Sequence, residues 1–536
     1  RDRLRSRGLG DVYKRQGKRT INSWHEKQRI LSFFGRLNYD FKDKYLLSFV
    51  FRRDGYSSLL GDNRWGFFPG VSAGWIFGRE DFIKEAIPVM SFGKLRASYG
   101  INGNASGIGA YTLQGSYGSS NSNGSFNYNG NTSYLITELP NPNLRWEKTA
   151  TFEVGADLSF FANRLNTNLT YYNRLTSDKY AALSFPTSTG FSSVTNNNGE
   201  FRNQGIEIEL SGKIIDSKDW TWSASGNIAF NKNKIVSLPD NGMERNRINA
   251  FQVYTGNGDE KKWVGGQQEG QEPGILYLYQ ADGIYRSYDE IPANLVRKYG
   301  SRTYYGPEAW NKLTAEQQNA TTNFPIQPGD TKFHDVNGDD VIDEFDKVKV
   351  GATSPRWTGG FNTTLRWKNF QLYGRFDYAL GFWLYENSGT QSTTPWFMGC
   401  YQGTYNTPTM YYDTWSESNP NAKYPRYLFA DQNGKNNYIA STMFAYRGDY
   451  LAIREISLSY SLPESVAKML KMQRAEVSIT GQNLGYITGA KNVGSPEANP
   501  KDNGAVGQGY SLPRTILFGV CLLYTSPSPR DRSLSR

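Results

Sequence analysis

The sequence predicts an all-β fold, a large antiparallel β-barrel that crosses a membrane, and three observations lead to it. Residues 205–231 read GIEIELSGKII, DSKD and WTWSASGNIAFN, so apolar and polar side chains alternate along two arms joined by a polar turn. Successive side chains of a strand point to opposite faces, which makes each arm apolar on one side. Each arm has roughly ten residues or more, enough for a tilted strand to cross a bilayer. The unit also recurs many times along the chain.

A soluble β-sandwich would show the same alternation, with the apolar face turned into a core. The positions of the aromatic residues favour a membrane instead. Trp220, Trp222 and Phe230 lie at the ends of the apolar face, where a transmembrane barrel has its aromatic girdles.

Other segments with the same alternation predict further strands in chain order. Hairpins are expected from 31–41 with 45–53, from 148–160 with 164–176, and from 358–367 with 370–378. Further strands are expected at residues 71–76, 94–99, 450–462, 475–484 and 514–520. The whole pattern predicts roughly fourteen strands.

The long connections differ from the turns in composition. Residues 100–137 are rich in Gly, Asn, Ser and Tyr without periodicity, which predicts an extended functional loop. We expect residues 239–327 to be mostly irregular apart from a strand at 275–279, and 398–445 to form a second large loop. Short turns on one side and long loops on the other are typical of outer-membrane barrels.

The two ends do not read like the rest of the chain. A back-translation of residues 521–526 (CLLYTS), read as its reverse complement in a shifted frame, encodes residues 11–16 (DVYKRQ). Both ends therefore resemble opposite strands of one library adapter, and we expect residues 1–16 and 521–536 to be artefacts. The alternative is a basic arm and a Ser/Pro/Arg tail that bind a partner. The barrel portion would then span residues 17–520.

Composition excludes several classes of protein. Residues 1–16 carry six Lys/Arg and two Asp, and residues 521–536 three Arg and one Asp, so the ends contribute +6 of the net charge of +10. The remaining +4 gives no support to nucleic-acid binding. Of the two cysteines only Cys400 lies outside the ends, which leaves no disulfide framework. The sequence contains no run of eighteen apolar residues, so it does not predict a transmembrane helix.

Nine segments resemble the SusC/RagA family of TonB-dependent outer-membrane transporters and follow the family's order. They are residues 34–55, 63–75, 94–104, 141–155, 202–210, 335–343, 354–362, 448–463 and 478–484, which together extend over nearly all of residues 29–520. Typical examples are NRWGFFPGVSAGW at 63–75 and GDYLAIREISLSYSLP at 448–463.

The resemblance implies a 22-stranded barrel plugged from within by an N-terminal domain. It also implies a SusD-like surface lipoprotein as partner, TonB as the source of energy, and oligosaccharides or peptides as substrates. We expect this chain to be the C-terminal part of such a barrel in the outer membrane of a Gram-negative cell. The plug domain, the TonB box and the signal peptide are expected to be absent, so this piece alone is not expected to transport.

Residues 335–346 form a candidate calcium loop. Asp335, Asn337, Asp339, Asp343 and Asp346 occupy positions 1, 3, 5, 9 and 12, the spacing of oxygen ligands in an EF-hand-type loop. Asp340 stands at position 6 where glycine is usual, and position 12 is Asp rather than Glu; both departures weaken the match. The interpretations that stay open are a structural Ca²⁺ site, the one cofactor predicted, and a solvated acidic turn.

Aromatic residues cluster in the loop from Trp396 to Trp415. Their rings could stack on a sugar, or they could pack the loop onto itself, onto the lipoprotein or at the membrane girdle. The candidate substrate-binding residues are Trp396, Tyr401, Tyr405, Tyr411, Tyr412 and Trp415.

No catalytic constellation stands out, since the two histidines are far apart and no nucleophile or carboxylate pair accompanies them. Together with this absence, the resemblance implies a non-enzymatic importer of oligosaccharides or peptides that works with a SusD-like lipoprotein. The alternative is a non-transporting outer-membrane adhesin or binding barrel.

Overall fold

A computed structural model of the chain describes residues 26–118, 127–128, 131–132, 134–385, 413–426, 439–470, 472–490, 495–497 and 512–523. Its main feature is one antiparallel sheet of thirteen long strands among the described residues, in which every strand pairs with its neighbours in chain order. The strands are β1 Ile30–Phe41, β2 Tyr45–Tyr56, β3 Trp65–Trp75, β4 Met90–Asn104, β5 Glu147–Phe160, β6 Leu165–Ser184, β7 Ser193–Asp216, β8 Trp220–Ser237, β9 Trp357–Trp367, β10 Phe370–Leu380, β11 Tyr450–Ser461, β12 Arg474–Thr488 and β13 Thr515–Leu523.

The connections differ between the two ends of the sheet. Residues 42–44, 161–164, 217–219 and 368–369 make tight turns at one end, the short-turn end. The left-handed backbone of Lys42, Asp43, Ala162, Asn163 and Lys368 closes three of these turns, at 42–44, 161–164 and 368–369, as tight hairpins with a right-handed strand twist require. At the other end, the long-loop end, the connections include residues 105–146, 238–356 and 381–449. The predicted asymmetry of turns and loops is confirmed.

The two faces of the sheet have opposite chemistry. Large apolar side chains are exposed at alternate positions of strand after strand, among them Phe49, Phe51, Phe67, Leu95, Tyr99, Phe152, Val154, Ile206, Ile208, Leu210, Phe361, Leu372, Leu458 and Ile479. A soluble sandwich would bury this face, and so wide an exposed apolar surface is typical of contact with lipid. No helix of the described residues is long and apolar enough to cross a membrane.

Residues 238–356 fold into a compact unit, here called the insert, between β8 and β9. It contains short strands and helices: Phe251–Tyr254, Lys261–Val264, Ile275–Tyr279, Ala281–Ile284, Val296–Tyr299, Arg302–Tyr305, Pro307–Asn311, Ala315–Gln318, Asn323–Pro325, Thr331–Phe333, Val341–Ile342 and Lys347–Ala352. Its core includes Tyr279, Tyr304, Phe333 and Ile342, and Ile439 joins it from the loop before β11. The predicted strand at 275–279 is confirmed, and the rest of 239–327, expected to be irregular, contains further short strands and helices.

A second apolar cluster fixes the long-loop end of β2 to β5. Tyr56, Leu59, Phe68, Ile108, Leu113, Leu144 and Trp146 are buried together. The Tyr56 hydroxyl donates to the Ile108 carbonyl at 3.2 Å, and the Trp146 indole donates to the Arg64 carbonyl at 3.0 Å. These contacts hold the beginnings of the loops at residues 57–64 and 105–146 against the sheet.

Outside the main sheet and the insert the described elements are short. They are the helices Asp81–Ala86 and Glu464–Met469 and the strands Ser116–Gly118, Asn127–Tyr128, Asn131–Thr132, Leu135–Glu138, Trp383–Tyr385 and Ala445–Arg447.

Some predicted strand boundaries were too short. β3 begins at Trp65, six residues before the predicted start, although Pro69 lies within it. Pro69 is tolerated because β3 pairs only with β2 at that point, and pairing with β4 starts at Gly70. β13 continues to Leu523, past the predicted end at Val520. This pairing needs only extended backbone, so it does not test the origin of residues 521–536.

Candidate functional site: the polar face and the long-loop end

The inner, polar face of the sheet carries charged residues in small networks. Arg96 on β4 donates to Asp157 on β5 at 3.2 Å and to Asn168 on β6 at 2.9 Å. Arg174 on β6 pairs with Glu153 on β5 at 3.3 Å. These side chains are about one quarter to one half exposed, so each ion pair adds little to stability. Their arrangement gives a hydrated wall with both signs of charge.

A shallow cavity of about 640 Å³ lies on this wall across β1 to β6. It is lined by alternating hydroxyl, amide and charged groups, including Arg36, Ser72, Asn102, Thr149, Glu153 and Arg174. Such a lining favours contact with water and polar solutes. It contains no arrangement of nucleophile and base.

The acidic loop at 335–346 adopts a closed conformation. The Asp335 carboxylate accepts the N–H groups of Gly338 and Asp340, each at 2.8 Å. The Asp346 carboxylate accepts those of Val336 at 2.9 Å and Asp343 at 2.7 Å. The backbone is left-handed at Asp340, with φ of 60°, which is the turn that glycine makes at position 6 of an EF-hand loop.

Electrostatics around the loop favour a cation. Asp346 is fully buried, and burial raises its pKa to about 6. Burial, together with carboxylates of which Asp343 is the first, raises the pKa of the Tyr254 phenol to about 12. The Asn337 side-chain oxygen is buried without a hydrogen-bond partner, whereas its amide nitrogen donates to Asp259 at 2.9 Å.

The five predicted ligands thus share one loop, and their donors are side-chain oxygen atoms, the type that Ca²⁺ prefers. In the part of the chain that the structure describes, no three acidic, histidine or cysteine side chains are gathered into a metal cluster. Several of the carboxylates bond backbone N–H groups instead, so ion binding would need these side chains to adjust.

Of the aromatic candidates, Trp396, Tyr401, Tyr405, Tyr411 and Tyr412 lie outside the described residues. Trp415 is half-buried, and its ring packs on the backbone of Gly329 in the insert, whose φ is +87°. Its backbone N–H donates to the Tyr424 carbonyl at 2.9 Å. This placement corresponds to the packing alternative for Trp415.

Two polar clusters at the long-loop end were missed by the sequence analysis. Asp330 is fully buried in the insert and pairs with Arg426 at 2.7 Å. Arg454, in a bulge of β11, pairs with Asp377 at 2.8 Å and with Glu497 of the β12–β13 loop. Each pair joins residues at least forty positions apart, and no local pattern signals them.

The described histidine, His334, lies 3.0 Å from Asp282, and both side chains are substantially exposed. This pair lies on the insert, away from the cavity of the polar face.

Comparison with known proteins shows which family the chain resembles. The family model described as TonB dependent receptor-like, beta-barrel matches residues 2–304, more than half of the chain. TonB-dependent receptor P3 of Formosa agariphila is 29% identical over 482 residues, 90% of this chain and 43% of that protein. TonB-dependent receptor SusC of Bacteroides thetaiotaomicron is 27% identical over 522 residues, 94% of this chain and 45% of that protein.

The chain therefore spans somewhat less than half the length of these curated relatives. A solved chain of the RagAB peptide transporter superimposes with a TM-score of 0.66 at 23% identity, over 95% of this chain and 49% of that one. This structural similarity supports the fold alone.

Proposed function

The chain belongs to the TonB-dependent receptor-like β-barrel family and forms part of an outer-membrane barrel, and from this we propose that the whole protein imports oligosaccharides or peptides with energy from TonB. A SusD-like surface lipoprotein is the proposed partner at the long-loop end. TonB would act through the N-terminal region of the protein, and outer-membrane lipid would surround the sheet.

The observation that supports this proposal most strongly is the contrast between the two faces of the thirteen-stranded sheet. The apolar face is suited to lipid, and the polar face, with its paired charges and its cavity, is suited to a hydrated solute path. The relatives named TonB-dependent receptor and SusC are receptors rather than enzymes, and we propose no enzymatic activity.

Uptake by cells expressing the complete gene tests the proposal. Labelled oligosaccharides and peptides should accumulate in a host with TonB and stay outside in an isogenic host without it. The protein should fractionate with the outer membrane and shift its gel mobility on heating. Equal uptake in both hosts would contradict the proposal.

The alternative is a non-transporting adhesin or binding barrel. It would give the same fractionation and the same surface binding, with no TonB-dependent accumulation.

We further propose that the acidic loop holds a structural Ca²⁺. Asp335, Asn337, Asp339, Asp343 and Asp346 would supply its oxygen ligands. The left-handed backbone at Asp340 and the unpartnered oxygen of Asn337 support this site. When bound, the ion would neutralise part of the loop's negative charge and brace the insert.

The calcium proposal is tested by thermal unfolding with calcium and with a chelator. Calcium should raise the unfolding temperature of the parent protein, and the double variant Asp335→Asn/Asp339→Asn should lose this response. Asp240→Asn is the matched control, because Asp240 accepts a local backbone N–H at 3.1 Å outside the loop. No calcium response in the parent protein would overturn the proposal.

We also propose that aromatic residues of the loop between β10 and β11 contact the substrate. They are Trp396, Tyr401, Tyr405, Tyr411, Tyr412 and Trp415. Trp396→Ala and Trp415→Ala should weaken binding of substrate more than binding of the lipoprotein. A loss of lipoprotein affinity alone would assign these residues to the partner interface.

We also propose that residues 1–16 and 521–536 derive from an adapter. Long-read sequencing of the source DNA should replace both ends by other codons. Recovery of the same codons would contradict this origin.

A further inference from the structure

The loop between β4 and β5 has an unusual composition. Residues 105–137 contain no Asp, Glu, Lys, Arg or His, although 21% of the whole chain is charged and 33 residues would carry about seven charges on average. Tyr, Ser, Gly and Asn make up 22 of these 33 residues. The same four residue types dominate antibody binding loops, where Tyr supplies rigid contact area and the others supply adaptable hydrogen bonds.

The base of this loop is held in place. Ile108 and Leu113 are 2% and 1% exposed in the apolar cluster at the long-loop end. Gly115, with φ of +75°, lies against the Glu138 carbonyl, where a Cβ atom would approach that oxygen to 2.5 Å. The strands Ser116–Gly118 and Leu135–Glu138 pair directly beyond this point.

Three tyrosines project from this fixed base. Tyr111, Tyr117 and Tyr134 are 66%, 71% and 70% exposed, and no hydrogen bond or ring contact joins their side chains to another described residue. Tyr117 stands opposite Ile136, which is itself exposed, and Tyr134 precedes Ile136 by two residues. We call Tyr111, Tyr117 and Tyr134 the tyrosine platform.

The charged groups next to the platform are carboxylates. Glu26 accepts the Ala110 N–H at 3.0 Å, and Glu138 ends the strand that pairs with Ser116–Gly118. An anionic ligand would therefore find no cation on the loop and would be repelled by these carboxylates. An ordinary protein interface surrounds its aromatic anchors with a polar rim in which charges are common. A sugar ring has an apolar face that packs on a phenol ring, and its hydroxyl groups bond amides and hydroxyls without any charge.

We propose that the tyrosine platform is a capture site for neutral oligosaccharides at the long-loop end of the barrel. This inference builds on the proposed function, in which it selects uncharged glycans over acidic glycans. The site is separate from the aromatic residues proposed between Trp396 and Trp415.

Binding of the purified complete protein to an array tests the proposal. The array carries neutral oligosaccharides of varied linkage, uronic-acid and sulfated oligosaccharides, and peptides of matched length. The parent protein should bind neutral oligosaccharides. The variant Tyr111→Ser/Tyr117→Ser/Tyr134→Ser should bind neutral oligosaccharides about tenfold or more weakly, because each of the three rings contributes part of the affinity.

Tyr288→Ser is the matched control, because Tyr288 is a 60% exposed tyrosine of the insert. It should bind as the parent does, and heat-modifiable gel mobility should show that all variants are folded. Binding restricted to charged glycans or peptides, absence of binding to every neutral glycan, or a triple variant equal to Tyr288→Ser would each overturn the inference.

Uptake measured in hosts with and without TonB separates this inference from the proposed function. TonB-dependent uptake of peptides alone would overturn the capture site and leave the importer. Platform-dependent binding of neutral glycans without TonB-dependent uptake would overturn the importer and leave the capture site.

Discussion

The ion pair between Asp330 and Arg426 offers the sharpest test of how the loops of the long-loop end are held together. Asp330 belongs to the insert and is fully buried, and the Arg426 guanidinium donates to it at 2.7 Å. Arg426 also donates to the Gln327 side chain at 2.5 Å, and its backbone N–H donates to the Gly329 carbonyl at 2.8 Å. The substitution Arg426→Met keeps the aliphatic length and removes the charge.

Removing one partner of a buried ion pair costs about 3–5 kcal/mol, because the other charge is left in a poorly solvating environment. The lower end applies here. The Gln327 N–H still donates to the second Asp330 oxygen at 2.9 Å, and the Arg426 side chain is 15% exposed. A loss of about 3 kcal/mol corresponds to a roughly hundredfold larger population of the open state.

Hydrogen–deuterium exchange measures this opening directly. Peptides covering residues 413–426 and 326–330 should exchange roughly a hundredfold faster in Arg426→Met, with the strands of the sheet unchanged. Lys468→Met is the control, since Lys468 and Glu464 form an ion pair whose side chains are 72% and 74% exposed. Adding Asp330→Asn to Arg426→Met should restore most of the protection. Exchange in Arg426→Met that is no faster than in Lys468→Met would contradict this expectation.

Three further predictions concern the turns and the sheet. Hydrogen bonds from Lys44, Trp75 and Tyr45 lower the pKa of Glu80 to about 2, so the stability that ionised Glu80 contributes is complete above about pH 4.5 and is lost as the pH falls towards 2. In Glu80→Gln the unfolding temperature should therefore depend less on pH between pH 5 and 2. A pH dependence equal to that of the parent protein would contradict this. Leu59 is fully buried, and Leu59→Ala should reduce the local stability of its cluster by about 2–5 kcal/mol. Trypsin should then cleave after Arg64 faster than in the parent protein, and an equal cleavage rate would contradict this. A Cβ atom at Gly205 would lie 2.1 Å from the Phe230 carbonyl oxygen, so Gly205→Ala should destabilise the sheet by about 1–3 kcal/mol and lower the temperature of the gel-mobility shift. Gly70→Ala should leave that temperature unchanged, because a Cβ atom there would lie 3.7 Å from its nearest neighbour. Equal shifts in the two variants would contradict this prediction.

The strands could be predicted because their signal is local. Alternation in GIEIELSGKII needs only the next few residues, and the observed register pairs Ile206 with Phe230 and Ile208 with Ile228 as the hairpin requires. The boundary errors arose where a local rule has an exception. Proline is uncommon inside a strand, yet Pro69 lies at a position where β3 has a neighbour on one side only.

The acidic loop illustrates an intermediate case. Its ligand spacing was readable from the sequence, and Asp340 at position 6 argued against the site because aspartate disfavours a left-handed backbone. The structure places Asp340 in that conformation, where its N–H bonds the Asp335 carboxylate. Aspartate adopts this conformation more readily than most residues with a side chain, so the objection from position 6 does not hold.

The insert could not be predicted because its core is assembled from distant residues. Tyr279, Tyr304 and Phe333 meet Ile439, which follows two further strands of the sheet. Trp415 and Arg426, from the same long loop as Ile439, contact Gly329 and Asp330 of the insert. Two separate loops of the long-loop end are thus one packed body, and a substitution in either should alter the other. The tyrosine platform contrasts with this body, because its base is anchored to β2 to β5 and its rings stay exposed. Ligand contacts at the platform can therefore change without repacking the insert, which is the arrangement expected of a surface that varies with substrate.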